Sequence, residues 1–501
     1  MFISSCPLLV VDYLRVPCTV DPGTDESLAP PVPAVDGFAG AWGRLSASRQ
    51  AAPVLVWPRP RSQPGAANGL RRFRLGGSVL HARLVPDEHL ESVLPGLPDG
   101  WTRVEPLTDD SGSNVGSVWR AGDGSLLLPF DPDEVVTTFW SERYLEADQD
   151  RAAGRLRRAA MTVYYGVRPL VPRRLQIAAR RLYSRVQALQ VFPRWPLEPS
   201  LHDFYDQVLA WAAEVAGRPV PWIAPWPAGR TWALVLTHDV ETADGVRLIP
   251  ELRSVEERAG FRSSWNLVPG RYRVDDALVR ELQSAGFEVG LHGLYHDGRD
   301  LEPAELERRL PEMRRWAQRW GAVGFRSPAT HRSWDTMGGL PFRYDSSSPD
   351  TDPYEPQPGG CASLLPFRNR AVIELPITLP QDHTLFVILR ARDAQPWLDK
   401  TARIRTRGGM ALIITHPDYV VQAPIAAAYE QLLTSVAQDE TVWRALPSEV
   451  ADWWDRRAAS SIVRNGSDWT ITGPAAREAS ISWTAPGARS GVSASRAAGG
   501  S

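Results

Sequence analysis

Residues 287–296 read Phe-Glu-Val-Gly-Leu-His-Gly-Leu-Tyr-His: a strand-like apolar run, Phe287 to Leu291, delivers His292 and, four residues later, His296. Imidazoles four apart can share one face of a helical turn and converge on a single cation. Alone, such a pair is an ordinary feature of surfaces and cores, so its neighbours decide what it means. Upstream, the apolar run Thr231 to Thr237 ends at His238-Asp239-Val240-Glu241. Downstream, Met410 to Ile414 ends at Thr415-His416-Pro417-Asp418. Imidazole and carboxylate chemistry gathers at the ends of strand-like runs.

The pattern extends outward. Phe261–Val268, Ala322–Phe325, Val372–Ile377 and Leu385–Leu389 are further short apolar segments. Helical patterns at Val246–Ala259, Val274–Ala285 and Pro303–Trp320 each stop before a glycine (Gly260, Gly286, Gly321). Glycine just past a helix is the usual left-handed cap. Strand, helix, glycine, strand is the signature of a parallel α/β domain. In a closed βα barrel the reactive side chains sit at the carboxyl ends of strands. Asp239, His292, Arg326 and His416 all hold such positions, so the sequence predicts an α/β barrel.

These residues resemble the polysaccharide deacetylases, carbohydrate esterases that share the chitooligosaccharide deacetylase homology domain. Thr237-His238-Asp239-Val240-Glu241 stands where that family has Thr-Phe-Asp-Asp-Gly. His292-Gly293-Leu294-Tyr295-His296 matches its His-Ser/Thr-x-x-His, and Arg326-Ser327-Pro328 its Arg-x-Pro. Tyr344-Asp345-Ser346-Ser347 and Ile414-Thr415-His416-Pro417-Asp418 follow in the family's order. The resemblance covers roughly residues 230–457 and implies an irregular (β/α) barrel of seven or eight strands. Three departures stand out: Val240 replaces the family's second aspartate, a metal ligand; Gly293 replaces Ser or Thr; and the glycine usual after Pro328 is absent. Some relatives acting on lipid-linked sugars use Asp-x-Asp, a spacing that Glu241 fits. Glu241 supplies the third ligand, or Asp239 does so while another group is the base, or the site is degenerate.

The 501 residues exceed one core and imply two or three domains. With 56 basic and 58 acidic residues the chain is near neutral, which argues against nucleic acid as a partner. Lys400 is the only lysine, and three cysteines are too few and scattered for a disulfide framework. Cys6 to Val11 is interrupted by Asp12 and has no basic flank, so no signal peptide is expected. No run reaches the ~20 apolar residues of a membrane span. These features predict a cytoplasmic protein, peripheral on the inner membrane face if it meets lipid at all.

The expected organisation is a Pro/Ala-rich arm (1–68), a small α+β domain (69–150), an Arg-rich helical connector (151–230), the barrel (231–457) and a short hairpin with a disordered tail (458–501). Within the second, Ser117–Arg120 and Ser125–Phe130 flank Gly122-Asp123-Gly124 as a hairpin, and Asp131-Pro132 caps a helix. In the last, Trp469–Gly473 would pair with Ile481–Trp483. Residues 151–194 hold eleven arginines and no acidic residue. Leu175, Ala179, Leu182, Val186 and Leu189 recur there at helical spacing. Such a helix either lies on an anionic membrane surface or packs on the barrel with its arginines paired to acidic residues.

The resemblance assigns the chemistry. A divalent metal, zinc by preference, is held by Glu241, His292 and His296. Asp239 acts as general base, Arg326 orients it, and His416 protonates the leaving amine. Tyr295, Pro328 and Asp345 are expected at the substrate, with His331 and His383 as candidate cleft residues. Asp418 would orient His416 or end its strand, and His238, by strand alternation, points to the other face. The expected activity is removal of an N-acyl group, N-acetyl foremost, from an amino-sugar glycan or glycan precursor in envelope polysaccharide synthesis or modification. The rival reading is a catalytically inactive barrel that binds carbohydrate or serves as a scaffold.

Overall fold

The computed structural model describes residues 1–21, 38–47, 53–60, 69–93, 100–149 and 172–487. Two compact units emerge: Ala160–Glu198 with Pro225–Arg456, and Met1–Ala159 with Pro199–Ala224 and Arg457–Ser501.

The unit with the histidine motifs is α/β, built on a curled and largely parallel sheet. Its strands are β1 (Trp232–Val240), β2 (Ser264–Leu267), β3 (Glu288–Leu291), β4 (Gly324–Phe325), β5 (Tyr344–Asp345), β6 (Phe367–Asn369), β7 (Val372–Glu374), β8 (Met410–Thr415) and β9 (Val442–Arg444). They lie in the order β6-β7-β5-β4-β3-β2-β1-β8, with β9 beside the start of β1. Strand β6 pairs antiparallel with β7, and the β1, β2, β3, β4 and β8 pairings are parallel. Past β7 the chain returns toward β8: the N–H groups of Thr378 and Leu379 donate to the Leu412 carbonyl at 3.1 and 2.9 Å. These bonds bridge the two ends of the sheet, as a curled sheet allows when its strands are tilted.

Strand β1 is buried along its whole length, which is why it reads as a continuous apolar run rather than an alternating one. Leu234, Leu236, Trp265, Leu267 and Leu291 belong to the same core; cutting Trp265 back to Ala should cost ~3–5 kcal/mol. The helices are α1 (Arg173–Gln187), α2 (Ala243–Ala259), α3 (Asp276–Ser284), α4 (Pro303–Trp320), α5 (Gln395–Thr406) and α6 (Ala423–Ala437). Helix α2 starts earlier than its apolar periodicity suggests, because the Thr242 hydroxyl accepts the Gly245 N–H at 3.0 Å. Asp275 caps α3 in the same way, from the Ala277 N–H at 2.9 Å. Gly260 and Gly321 end α2 and α4 at φ of +74° and +61°. The expected strand Leu385–Leu389 is instead part of a wide helical turn, His383–Ile388, begun by the Asp382 side chain accepting the His383 N–H at 2.7 Å. Five apolar residues cannot distinguish strand from helix.

In the other unit the expected boundaries move. Phe38–Ser46 and Val54–Pro60, placed in the arm by composition, are strands of one nine-stranded sheet with Arg71–Leu75, Ser78–Ala82 and Asn114–Arg120. A Pro- and Gly-rich stretch can still supply strands when its apolar residues pair with partners far along the chain. Phe2–Ser4 and Cys18–Val20, also within the expected arm, join the same sheet, while 22–37, 48–52 and 61–68 lie outside the described residues. The hairpin around Gly122-Asp123-Gly124 and the Asp131 cap are present. Helix Ser200–Ala216 belongs to this unit and not to a connector: the Ser200 hydroxyl accepts the Val79 N–H at 2.9 Å and Trp140 donates to Tyr205 at 3.0 Å. The C-terminal hairpin pairs Ser461–Asn465 with Asp468–Thr472, while Ile481–Thr484 pairs with Val220–Ile223. The turn at Gly466 is shorter than the link to Ile481, and short hairpins close at less entropic cost. The Arg-rich residues 151–171 and the tail 488–501 are outside the described residues.

Candidate active site

Asp239 lies at the carboxyl end of β1, with Glu241 two residues on and so on the same face. His292 and Arg326 directly follow β3 and β4, and His416 follows β8. Parallel strands thus carry five side chains to one end of the sheet. Val240, between the two carboxylates, is fully buried in the apolar core. Alternation sends it away from the site, so it removes a ligand without intruding.

Asp239 is buried and held from two sides. Its Oδ1 accepts the Asn266 amide at 2.9 Å and faces the Arg326 guanidinium at 3.4 Å. Arg326 is itself fixed by Thr237 and Ser346, at 3.2 and 2.9 Å. Burial works against ionisation of Asp239, but the facing His292 ring, the Arg326 and His416 charges and the Asn266 hydrogen bond outweigh it and hold the carboxyl below its usual range. It is therefore a carboxylate, able to accept a proton.

His416 is its opposite. Burial disfavours the charged ring, yet the Asp382 and Glu241 carboxylates outweigh that and hold it well above the ordinary histidine range. Asp382 Oδ1 lies 2.7 Å from His416 Nδ1, and Oδ2 accepts the His416 backbone N–H at 2.7 Å. The ring is a cation oriented by a carboxylate, the arrangement of a proton donor. Asp418, for which the sequence left open orienting His416 or ending its strand, accepts the Thr242 hydroxyl at 2.8 Å and steadies the start of α2.

Glu241, His292 and His296 each offer a ligand atom, all within 4.8 Å of one another. His292 Nδ1 faces the Arg326 carbonyl oxygen at 3.1 Å, which makes Nδ1–H the donor and leaves Nε2 with its lone pair. Nε2 is buried and finds no hydrogen-bond partner among the described residues. Burial lowers the His292 pKa to about 4, so the ring is neutral at neutral pH. A buried lone pair aimed at a second imidazole and a carboxylate fits a divalent cation with one open side. Burial opposes the charge on Glu241, but hydrogen bonds from His296 and His416 outweigh it and keep its carboxyl well below the usual range.

His296 is less settled. Its Nε2 is 2.9 Å from Glu241 Oε1, and Arg271 Nη1 is 2.6 Å from its Nδ1. Arginine has only donors, so Nδ1 here is unprotonated and Nε2–H points at Glu241. To hold a cation through Nε2, His296 would carry that proton on Nδ1 instead, and Arg271, an exposed side chain, would turn away. The backbone at His296 has φ +57°, a left-handed conformation that costs a non-glycine residue ~1 kcal/mol.

Two motif departures have local causes. Gly293 has φ +64°, and a Cβ there would lie 2.3 Å from Asp300 Oδ2 and 2.7 Å from Pro328. Only glycine fits. After Pro328 the chain needs a left-handed residue and Ala329 supplies it at φ +54°, under strain.

The expected substrate residues separate. Tyr295 is part-exposed and donates to Glu312 at 3.1 Å. Pro328 is buried against Gly293. Asp345 is fully buried, its Oδ1 accepting the Ser347 hydroxyl at 2.6 Å, and burial lifts its pKa to about 7. A side chain with no accessible surface cannot touch a sugar, so that expectation is corrected: Asp345 braces the strand ends. His238 is structural, bonded to Thr415 and Glu256 at 2.7 and 2.8 Å. Sequence reading missed Asn266, Arg271 and Asp382. Asn266 is one of four polar residues in the run 261–268, so its polarity alone did not single it out. Asp382 gave no signal, because only the tertiary fold brings it to His416.

No family model and no curated protein matches the chain. Among solved structures it is similar to a Mycobacterium smegmatis protein assigned as a polysaccharide deacetylase, at 18% identity and TM-score 0.38, over 48% of this chain and 96% of that one. It is similar to a PuuE allantoinase at 17% and 0.39, over 46% and 93%. A family 4 carbohydrate esterase from Streptomyces lividans stands at 14% and 0.28, over 42% and 91%. The solved structures that resemble this chain thus include polysaccharide deacetylases and family 4 carbohydrate esterases.

Proposed function

We propose that the chain is a metal-dependent hydrolase that removes an N-acyl group, acetyl foremost, from an amino-sugar glycan or its precursor during envelope polysaccharide synthesis or modification. The observation that carries this is geometric: Asp239, held by Asn266 and Arg326, and His416, gripped by Asp382, stand at the same end of the sheet as the orphaned Nε2 of His292. Glu241, His292 and His296 would hold a divalent cation, zinc by the softness of its nitrogen ligands, which when bound polarises an acyl carbonyl and acidifies a water. Asp239 takes the proton of the attacking water, with Arg326 and Asn266 keeping its carboxylate aimed. His416 gives its proton to the departing nitrogen, and Asp382 stabilises the charged ring until it does. We assign Tyr295, which is part-exposed, to contact with the sugar. The inactive-barrel reading draws on Val240, but Glu241 stands on the site face and offers the carboxylate that Val240 cannot. The test is metal analysis of the purified protein together with acetate release from a panel of N-acetylated sugars and oligosaccharides. Bound stoichiometric metal with no acyl release from any of them would favour the binding-module reading.

A further inference from the structure

Helix α1 is mounted with its polar side inward. Its inner face is Ile177, Arg180, Arg181, Ser184 and Gln187, which recur at the three- and four-residue spacing of one helical stripe. Arg180 donates to the Tyr354 carbonyl at 3.0 Å, Arg181 to that of Val387 at 2.9 Å, and Gln187 to that of Pro353 at 2.7 Å. The arginines thus spend their donors on backbone carbonyls and not on acidic side chains. The opposite face is apolar and open. Leu175, Leu182, Val186 and Leu189 are 59, 66, 60 and 76% exposed, and Val191 just beyond the helix is 70% exposed. Aligned large aliphatic side chains in water are the exception in a soluble domain and mark a contact surface.

We propose that this stripe docks on an anionic lipid bilayer. Exposed Arg174 and Arg185, three turns apart, lie together on one border of the stripe, and part-exposed Tyr183 lies on the other. Arginine heads reach phosphates while their stems lie along the acyl boundary, and tyrosine favours the same depth. A second copy of this chain is a poor occupant, because residues 151–194 carry eleven arginines and no acidic residue and would face like charge. An anionic membrane complements both the stripe and its border, the two signals that stable surface binding requires. Helix α1 is anchored on the turn His383–Ile388, which starts at the residue after Asp382, the partner of His416. Docking would therefore hold that end of the sheet close to the lipid surface. The proposal is independent of the hydrolase reading.

Flotation of the full chain with mixed phosphatidylcholine–phosphatidylglycerol vesicles, against pure phosphatidylcholine vesicles, tests it. Binding to the anionic vesicles is expected, weakening as salt rises. The triple variant Leu182→Ser, Val186→Ser, Leu189→Ser should lower partitioning by at least roughly tenfold, the effect of losing even one buried aliphatic side chain. Arg174→Gln with Arg185→Gln should lower it roughly tenfold and flatten the salt dependence. Melting temperature should stay within a degree or so in both, because exposed positions carry little stability. Absence of flotation at low salt, or flotation that the triple variant leaves unaltered, overturns the proposal. So does a chain that elutes as a dimer without lipid and as a monomer once the three serines are in place.

Discussion

Asp382 grips His416 twice, through the ring at Nδ1 and through the backbone N–H, both at 2.7 Å. One carboxylate therefore fixes both the position of the residue and the charge of its imidazole. Replacing Asp382 with Asn keeps the size but removes the charge that favours the imidazolium. Acyl hydrolysis should fall by about 10²–10³, within the range of a lost general acid. Metal content should be unchanged, because Asp382 is no part of the ligand set. Loss of metal in Asp382→Asn would show that it supports the ligands and not the acid.

The ligand assignment separates from the base assignment by substitution. His292→Ala and His296→Ala should each abolish stoichiometric metal by elemental analysis while the far-UV spectrum is retained. Asp239→Asn should keep the metal and lose hydrolysis by at least about 10², since an amide cannot accept a proton from water. Glu241→Gln should weaken metal binding, with partial recovery of activity on adding metal. The reverse pattern, metal lost in Asp239→Asn and kept in Glu241→Gln, would exchange the two roles.

Arg271 competes with the cation for His296. Its guanidinium sits on Nδ1, and that arrangement leaves the proton on Nε2, where the cation must go. Arg271→Gln removes the competing donor charge and can accept the Nδ1–H instead. Metal affinity should rise by roughly tenfold, the scale on which partners of ligating histidines act. Titration with a competing chelator measures it, and an unchanged or weaker affinity would mean that Arg271 supports the site.

The parts of this site that depend on local periodicity were legible before the fold. Asp239 and Glu241 share a face because strand residues alternate, and Val240 and His238 point inward for the same reason. The glycines after the helices marked each return to the sheet. Contacts between distant segments were not legible: Asp382 with His416, Asn266 with Asp239, and the strands within the Pro/Ala-rich arm. Nothing in the order of residues states which carboxylate a curled sheet will bring beside which histidine. Helix α1 shows the same limit, since its two faces could be read from spacing but not which of them would pack.

The other unit should carry a pH signature of its own. His81 is buried on the strand Ser78–Ala82, paired across the sheet with Arg72, and its ring is 5.5 Å from Tyr144. Burial, with the Arg72 charge adding to it, lowers its pKa to about 3. The folded value lies below the unfolded value of ~6.5, so its contribution to stability is complete above that pH and is lost as pH falls toward 3. Urea midpoints should drop between pH 7 and pH 5, and His81→Phe should flatten that drop even if it lowers the midpoint at pH 7. An equally steep fall in His81→Phe would assign the effect to another group.

Gly290 offers a test of positioning that leaves every reacting group in place. A Cβ at residue 290 would stand 2.2 Å from Asn266 Oδ1, closer than any atom pair tolerates. Its backbone is ordinary strand, so Gly290→Ala is not strained in φ and acts only by moving the asparagine. Asn266 donates to Asp239 at 2.9 Å, and turning it away removes a hydrogen bond to a buried carboxylate. Such a bond is worth ~1.5–3 kcal/mol, or about 10–100-fold in rate. Asn266→Ala should cause a similar loss through the same contact. The double variant should then be little worse than either single one, because residues acting through one contact are non-additive. Bound metal should be retained in all three. Losses that multiply would show that Gly290 reaches the site by another route, most directly through the backbone that carries His292.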